Sequence, residues 1–549
     1  MLDIAFLLAF LLLPLAIWWV SRSVVFLTVG LILGFGIAGN LVQSLITIGV
    51  NWNVRGLQIL VLTVMVALLV IGRLMAPGEA GTLRRQFVAI GVPAIVIGAA
   101  LIIFRLMAPE DPGALSAIGY FINHPLAEDN AKWLHLSAQI ADGSAISFNG
   151  YAGGPLLLMM ATFSPLISVL SMTLLGTVNQ VAVATNTVLA VQFFLIAATP
   201  FALAPFAAWR YQGSQTPRFI PAPLLWTSAL VMSIASAVVT SYGHLSQQFT
   251  FIVLALWIVA FVTRSARWVL LASSLAIATS VSVWVPLNIL GLVILVVAVV
   301  VTLRARWWPG LIATVATGLV TFDAIVSSVV YLLGIQISIN VPGIEGLGGV
   351  VSGESGGGGP SPESGELIAS AHLFRAPGAT EQTSPLVAAL AAVVIVATVW
   401  FSVKKLGISE RGAALSIAPL ATLVGYALVT TVADGLITGS SPNYGTTKMA
   451  FTLVVAAIGA GIPLALVAID PDAAGMTVLR WTGAGAVIAV LLFDSLLPRS
   501  ISALSPLLWK GVDSSAPVYW SAAEVRSGDD QPLDQNPIAC LFAPPESDQ

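Results

Sequence analysis

The sequence predicts an all-α fold, a polytopic membrane helical bundle of about fourteen transmembrane helices, and three observations lead to this prediction. Hydrophobic residues make up 58% of the 549 residues, charged residues make up only 9%, and the mean hydropathy is +0.97. Apolar runs of roughly 18 residues or more recur along the chain, and each is long enough to cross a hydrocarbon core. Because these runs do not alternate in polarity, helices are the predicted spanning element, since a helix satisfies its own backbone hydrogen bonds.

The predicted spans follow these apolar runs and form one bundle over residues 1–496. They cover residues 2–20, 24–50, 57–75, 88–107, 181–208, 223–241, 249–263, 268–287, 289–303, 309–335, 385–403, 413–433, 450–469 and 476–496. The first run has no positively charged flank before it, so it is expected to remain as a helix and not to be cleaved as a signal peptide. Residues 497–549 form a short tail after the bundle.

The segment 154–176 is apolar enough to be a fifteenth span, but the distribution of Lys and Arg argues against this. Cytoplasmic loops of membrane proteins are enriched in both residues. We therefore predict that the N-terminus is outside and that 154–176 is interfacial or re-entrant, with an interruption near Pro165. In that arrangement 14 of the 22 basic residues share the cytoplasmic side: Arg22, Arg73, Arg84, Arg85, Arg210, Arg218, Arg264, Arg267, Arg304, Arg306, Lys404, Lys405, Arg411 and Arg480.

The same topology places the longer polar segments and both chain termini on the extracytoplasmic face of the cell membrane. These segments are the first loop (108–153), a Gly-rich loop (336–384), a short loop (434–449) and the tail. The Gly-rich loop contains ten glycines between Gly343 and Gly365. Such a composition buries too little apolar area to offset its ordering entropy, so we expect this loop to be flexible.

Composition also limits the partners and the chemistry. The formal net charge is −3 and no basic tract is present, so nucleic acid is not an expected partner. A single cysteine, Cys540, excludes an internal disulfide and a cysteine-based zinc site. No Gly-rich phosphate loop followed by Lys and Ser or Thr occurs, which argues against nucleotide hydrolysis.

The stretch HPLAEDNAKWLHLSAQIADG, residues 124–143, concentrates charge between two apolar blocks. Pro125 suits the first turn of a helix, and Gly143 suits the position just past its end. Helical spacing puts four apolar side chains on or near one face: Leu126, Trp133, Leu136 and Ile140. Charged or titratable side chains lie elsewhere: Glu128, Asp129, Lys132 and His135. We predict an amphipathic helix lying on the membrane with Trp133 at headgroup depth, which forms an interfacial pair with segment 154–176.

Two interpretations of these charges stay open. One is a solvated loop helix whose charges pair one turn apart. The other places Glu128 and Asp129 over the mouth of the bundle, with Lys132, Trp133 and His135 supporting the helix. Beside a low-dielectric surface the charged form of a carboxylate is disfavoured, which makes it a better general base.

Three stretches carry a resemblance to a known class of enzymes. They are AEDNAKWLHLSAQIADG in the first loop, VNQVAVATNTVLAVQFFLIAATPFALAPFAAWR at residues 178–210, and SPNYGTTKMAF at residues 441–451. The first is an amphipathic helix with an acidic start, the second enters a span through an Asn-containing turn, and the third places Tyr and Lys at the outer start of a span. With these features the chain resembles the GT-C class of integral-membrane glycosyltransferases, and more narrowly the multi-pass actinobacterial proteins of that class.

The resemblance implies a reaction and roles for particular residues. In that class an acidic residue of the first external loop deprotonates the acceptor hydroxyl while the sugar leaves a polyprenyl-phosphate carrier, with inversion. Asp129, or its neighbour Glu128, matches this residue, and Lys448 with Tyr444 matches the basic residue near the carrier phosphate. A lysine there neutralises the departing phosphate, and snorkelling at the membrane boundary is its alternative explanation. The implied partners are membrane lipid, the lipid-linked sugar and a glycan or glycolipid acceptor of the cell envelope.

Other polar residues leave alternatives open. Arg105, at the outer end of the fourth predicted span, either contacts the phosphate or pairs with Glu110 or Asp111. Asp323 lies in the middle of a predicted span, and its cost there suggests function. It favours the rival hypothesis of a transporter or flippase for a lipid-linked or hydrophobic substrate. No cofactor or metal site is evident, and no Asp-x-Asp pair lies near the predicted helix of the first loop, which argues against a metal-dependent reaction, although residues 128–130 leave weak binding of a divalent cation open.

Overall fold

The structure, a computed structural model, describes most of the first 340 residues and scattered residues after them. The described residues are 2–75, 83–107, 133, 136–137, 139–141, 143, 153–175, 180–208, 222–239, 245–284, 287–340, 419, 422–423, 426, 452–453, 456–457 and 459–461. Throughout this part the chain is mostly helical and contains no β-strand. The predicted all-α class is therefore confirmed for the described residues.

The described residues between 2 and 340 form thirteen α-helices besides the helical residues 133–141 that are described. In chain order they are α1 (Leu2–Ser21), α2 (Val24–Thr47), α3 (Val54–Met75), α4 (Leu83–Gln86), α5 (Val92–Met107), α6 (Gly154–Leu175), α7 (Gln180–Ala198), α8 (Ala204–Ala208), α9 (Ala222–Val239), α10 (Leu245–Val262), α11 (Arg267–Thr279), α12 (Asn288–Arg304) and α13 (Trp308–Asn340). A π-helical turn, Phe87–Gly91, joins α4 to α5, and a 3-10 turn, Thr199–Leu203, joins α7 to α8.

Ten of the fourteen predicted spans, those between residues 2 and 335, coincide with these helices. Five described segments are long and apolar enough to cross a membrane: Val24–Ile46, Val54–Leu74, Asn186–Ala208, Leu245–Val262 and Trp308–Val326. Helix α13 continues to Asn340, five residues into the segment predicted as the Gly-rich loop. The four later spans fall mostly outside the described residues, as does the tail, so the total of about fourteen stays a prediction.

Helix α2 packs against α1, α3, α6, α11 and α13 and forms the centre of the described bundle. Two of its glycines permit unusually close approach. A Cβ atom on Gly39 would collide with the backbone of Gly154 and Pro155 at the start of α6, and one on Gly36 would collide with Thr279 at the end of α11. Small residues take this role in membrane bundles because lipid surrounds the helices, so van der Waals contact between them must drive association.

Asn40, beside Gly39, adds a polar link at the same level of the bundle. Its side chain is fully buried, and Nδ2 donates to the backbone oxygens of Gly36 and Thr279, both at 2.8 Å. The second bond joins α2 to α11. Interhelical hydrogen bonds in membrane proteins average about 0.6 kcal/mol, so the close glycine contacts carry more of the association than this bond does.

Three tight turns between helices place arginine in a left-handed backbone conformation. Arg22 joins α1 to α2, Arg264 follows α10 and Arg306 follows α12, with φ angles of 52°, 49° and 51°. In the last two turns the next N–H donates to a carbonyl five residues earlier, at 3.0 and 2.9 Å. This is the Schellman hydrogen bond, which usually accompanies glycine. An L-residue in this conformation is strained by roughly 1–2 kcal/mol.

Aromatic contacts show that these turns lie together at one end of the bundle. The guanidinium of Arg267, at the start of α11, lies 4.9 Å from the ring centroid of Trp307, which precedes α13. The rings of Phe26, near the start of α2, and Trp268 are 6.0 Å apart. The starts of α2, α11 and α13 are therefore neighbours.

Gln86 brings the start of α4–α5 to the same end. Its Oε1 accepts hydrogen bonds from Trp18 Nε1 and from the backbone N–H of Val24, both at 2.9 Å, and its Nε2 donates to the carbonyl of Arg22 at 3.1 Å. Eight arginines predicted to share a side of the membrane thus share one end of the bundle, which we call the arginine end: Arg22, Arg73, Arg84, Arg85, Arg264, Arg267, Arg304 and Arg306. The opposite end is where α2 ends and α6 and α10 begin.

Helix α6 differs from the prediction for segment 154–176. It runs unbroken through Pro165, so the predicted interruption there is wrong. Leu156, Leu157 and Leu158 are each 0% exposed and point in different directions around the helix, so the first turns of α6 lie inside the bundle and not flat on its surface. Contact with α2 and α7 explains the apolar composition of this segment. That α6 does not cross the membrane stays a prediction.

The Gly39–Gly154 contact gives a stability test. Gly39→Ala should destabilise the protein by about 1–3 kcal/mol, because the added methyl must push apart two backbones and overpacked sites cost about this much. The measurement is thermal unfolding of the purified protein in detergent. Gly318→Ala in α13 is the matched control, since a Cβ there meets nothing within 4 Å and alanine favours a helix. Equal melting of the two variants would contradict the close approach.

Candidate functional site

Part of the helix predicted in the first loop lies within the described residues, and we call residues 133, 136–137 and 139–141 the loop helix. Residues 133, 136–137 and 139–141 are helical. Trp133, Leu136 and Ile140 are 1%, 0% and 3% exposed, which confirms the predicted apolar face. Gly143 has a φ of 71°, and its N–H donates to the carbonyl of Ile140, so the predicted stop is also confirmed.

The loop helix is fixed to the bundle by two contacts. The ring of Trp133 lies so close to Gly153 that any side chain at position 153 would collide with it. One turn later, Ser137 Oγ donates to the carbonyl of Ala184 in α7 at 3.0 Å. Because Gly153 precedes the contact between α6 and Gly39, the loop helix lies toward the opposite end.

The role predicted for Trp133 is therefore corrected. At 1% exposure its ring cannot sit among lipid headgroups, and it contacts protein instead. The physical reason is the slot at Gly153, which lacks a side chain and accepts the ring. A loop helix held by protein contacts has a more definite position than one held by lipid.

A second segment is fixed at the same end. Gln247, in the first turn of α10, donates from Nε2 to Thr452 Oγ1 at 2.9 Å. Further along the segment, Gly459 lies against the ring of Phe251, one turn deeper in α10. The segment 452–461 therefore begins beside the start of α10 and runs toward the arginine end, with Lys448 four residues before Thr452 in the sequence.

Buried neutral side chains connect the two fixed segments. Gln248 Nε2 donates to the carbonyl of Gln192 in α7 at 3.1 Å and lies 3.5 Å from Ser236 Oγ in α9. Gln192 lies eight residues after Ala184 on the same helix, roughly 12 Å along its axis. We call this set the polar seam: Ser137, Gln192, Ser236, Gln247, Gln248 and Thr452. Its separate hydrogen bonds join the loop helix to α7, α10 to both α7 and α9, and α10 to segment 452–461.

Most of the predicted site residues lie outside the described residues: Glu128, Asp129, Lys132, His135, Tyr444 and Lys448. Arg105 lies in the last turn of α5. That helix begins at the arginine end, so its last turn lies toward the opposite end, as predicted. The roles of these residues stay predictions.

Asp323 lies in the middle of the 33-residue helix α13 and is partly exposed. Ser44, in the last turn of α2, lies 3.5 Å from the carbonyl of Val320, one turn before Asp323. The carboxylate is therefore level with the end of α2 and not with its middle. A carboxylate near a membrane boundary reaches water more easily than one at the centre, which weakens the argument for transport.

Among the described residues no group of three or more His, Cys, Asp or Glu could hold a metal ion. Residues 128–130 are not among them, so a cation there stays an open prediction. Comparison with protein-family models, with curated proteins and with solved structures finds no match.

The polar seam was missed by sequence reasoning. Gln192 stands inside an apolar run, AVQFF, and Gln247 and Gln248 immediately precede the predicted span 249–263. None of the three carries the charge on which the predicted site residues were chosen. The available signal was the cost of an amide in an apolar helix, because such a group needs a partner.

Trp133→Ala tests how the loop helix is held. Removing a buried tryptophan costs about 3–5 kcal/mol, which should release the loop helix and speed protease cleavage within residues 124–143. The readout is limited proteolysis of the protein in lipid nanodiscs, with fragments assigned by mass spectrometry. Trp19→Ala, which removes a ring that is 70% exposed on α1, serves as the control and should cleave like the parent protein. Unchanged cleavage of Trp133→Ala would show that the ring does not hold this helix.

Proposed function

We propose that the protein is a membrane glycosyltransferase that moves a sugar from a polyprenyl-phosphate carrier to a glycan or glycolipid acceptor of the cell envelope. The observation that supports this most is the convergence of two fixed segments. The loop helix, which follows Asp129 in sequence, is joined to α7, and segment 452–461, which follows Lys448, is joined to α10. Gln248 joins α10 to α7 toward the same end of the bundle. The two groups that the reaction needs are thus proposed to meet at one surface.

The proposed chemistry separates two tasks. Asp129, or Glu128 beside it, takes the proton from the acceptor hydroxyl as its oxygen attacks the anomeric carbon. The bond from that carbon to the phosphate oxygen breaks, and polyprenyl phosphate leaves with inversion at carbon. Lys448, with Tyr444 and Arg105, stabilises the negative charge of the departing phosphate. A compact ammonium with three donors suits this task.

The proposed orientation of the bundle in the membrane is based on the distribution of charge between its two ends. Eight arginines lie there, and the described residues at that end carry no acidic side chain. The positive-inside rule assigns such an end to the cytoplasm. The loop helix and the polar seam then face the extracytoplasmic side, together with both chain termini.

Cysteine labelling tests this orientation. In a Cys540→Ser background, Ile48→Cys should react with a membrane-impermeant maleimide on intact cells, because Ile48 is 74% exposed in the turn after α2. Arg264→Cys should react only after the membrane is permeabilised. The reverse pattern would place the loop helix in the cytoplasm and contradict the proposal.

Transfer assays test the two roles. Asp129→Asn should lower kcat by about 100-fold to 10,000-fold while donor affinity is kept, since loss of a general base affects the chemical step. Lys448→Gln should lower kcat by at least about 100-fold, because charge stabilisation acts mainly in the transition state. The assay uses purified protein in nanodiscs and a panel of polyprenyl-phosphate sugars.

The rival function, transport or flipping of a lipid-linked or hydrophobic substrate, is favoured by the partly exposed carboxylate of Asp323 in an apolar helix. Asp323→Asn is therefore the comparison variant. As a glycosyltransferase the protein should retain transfer with this variant. If Asp323→Asn stops substrate movement in proteoliposomes while Asp129→Asn leaves it intact, the rival function is correct.

A further inference from the structure

Two buried glutamines of the polar seam have side-chain atoms without hydrogen-bond partners. Gln192 is 1% exposed, and neither its Nε2 nor its Oε1 has a partner. Gln248 is 0% exposed, and its Oε1 has none, although its Nε2 is satisfied. A buried amide left unpaired is costly in a low-dielectric interior. Natural proteins retain such groups where something else satisfies them.

The two amides lie together because one binds the backbone of the other. The Gln248 Nε2 that donates to the Gln192 carbonyl is bonded to the same carbon as the unpaired Oε1. Gln248 Oε1 therefore lies close to the backbone of Gln192, and the two residues together carry one nitrogen and two oxygens without partners. The third neighbour, Ser236 of α9, is also buried and neutral.

This pattern defines the chemistry of an occupant. It must both donate and accept hydrogen bonds, because the unpaired atoms are of both kinds. It must be uncharged, because Gln192, Gln248 and Ser236 offer no charge to balance an ion. Adjacent hydroxyls on a sugar ring meet both conditions, since one amide group can accept from one hydroxyl and donate to the next.

We propose that Gln192 and Gln248 form a buried subsite for a neutral, hydroxyl-bearing sugar ring. This inference rests on the proposed function and deepens it, because it gives the chemical class of the sugar that the site recognises. The ring belongs either to the donor or to the acceptor. Because Gln192 is 1% exposed, the proposal requires α7, α9 and α10 to separate before the ring can enter.

The experiment measures binding without requiring transfer. The full chain in nanodiscs is heated with one of three probes: a short-chain prenyl-phosphate hexose, the matching prenyl-phosphate hexuronate, and an octyl hexoside. A ligand that binds only the folded state raises the melting temperature in proportion to its affinity. The neutral rings should raise it more than the hexuronate does.

The variants are Gln192→Leu and Gln248→Leu. Each should weaken binding of the neutral ring at least about tenfold, because two hydrogen bonds are lost. Gln192→Leu should melt no lower than the parent without ligand, since it removes an unpaired amide, so loss of binding will not reflect misfolding. Gln58→Leu is the matched control, because Gln58 in α3 also has an unpaired, buried Nε2 but lies off the seam.

The pattern of melting-temperature shifts distinguishes a donor subsite, an acceptor subsite and no subsite. A shift with the prenyl-phosphate hexose but not with the octyl hexoside assigns the ring to the donor, and the converse assigns it to the acceptor. If no neutral probe shifts the parent protein, or if both leucine variants bind as the parent does, the glutamines hold water only and the subsite is wrong. If the neutral sugar probes bind but no sugar transfer is detected, only the proposed function is wrong. If sugar transfer is unaffected by Gln192→Leu and by Gln248→Leu, only the subsite is wrong.

Discussion

The contact between Gly39 of α2 and Gly154 of α6 is the constraint on which the opposite end of the bundle depends. Backbone meets backbone there, so neither residue can carry a side chain. The contact fixes the start of α6, and therefore Gly153, whose open face accepts Trp133. Asn40 joins the same level of α2 to α11. The position of the loop helix thus follows from the absence of two methyl groups deep in the bundle.

The two ends of the bundle are held by different interactions. At the arginine end, seven of the eight arginines are exposed, and aromatic rings such as Trp268 and Trp307 pack between the turns. At the opposite end the connecting groups are neutral amides and hydroxyls that are shielded from solvent, as at Gln247 and Gln248. Burying a charged side chain in an apolar interior costs much free energy, so charged residues lie at the ends of the bundle. Neutral polar side chains can be buried when they have hydrogen-bond partners.

The sequence predicted the features that follow from solvation alone. Apolar runs predicted helices at ten positions, and eight of the ten described arginines lie at one end of the bundle, as the predicted topology grouped them. Helical spacing identified the buried face at Trp133 and the stop at Gly143. It did not predict that Pro165 continues a helix or that Trp133 contacts protein, because both depend on neighbours distant in sequence. The pairing of Gln192 with Gln248 depends on the packing of α7 against α10, which no local pattern encodes.

The left-handed arginines bear on how the chain enters the membrane. Arg22, Arg264 and Arg306 each lie in the turn between two consecutive helices joined by two to four residues. Such pairs are short enough to insert as hairpins during synthesis, and a charge at the tip keeps that tip on the side of the ribosome in the proposed orientation. A glycine would fit the backbone better at all three tips but would carry no topological information. In the proposed orientation, the strain of these three turns is the cost of keeping a charge at each tip.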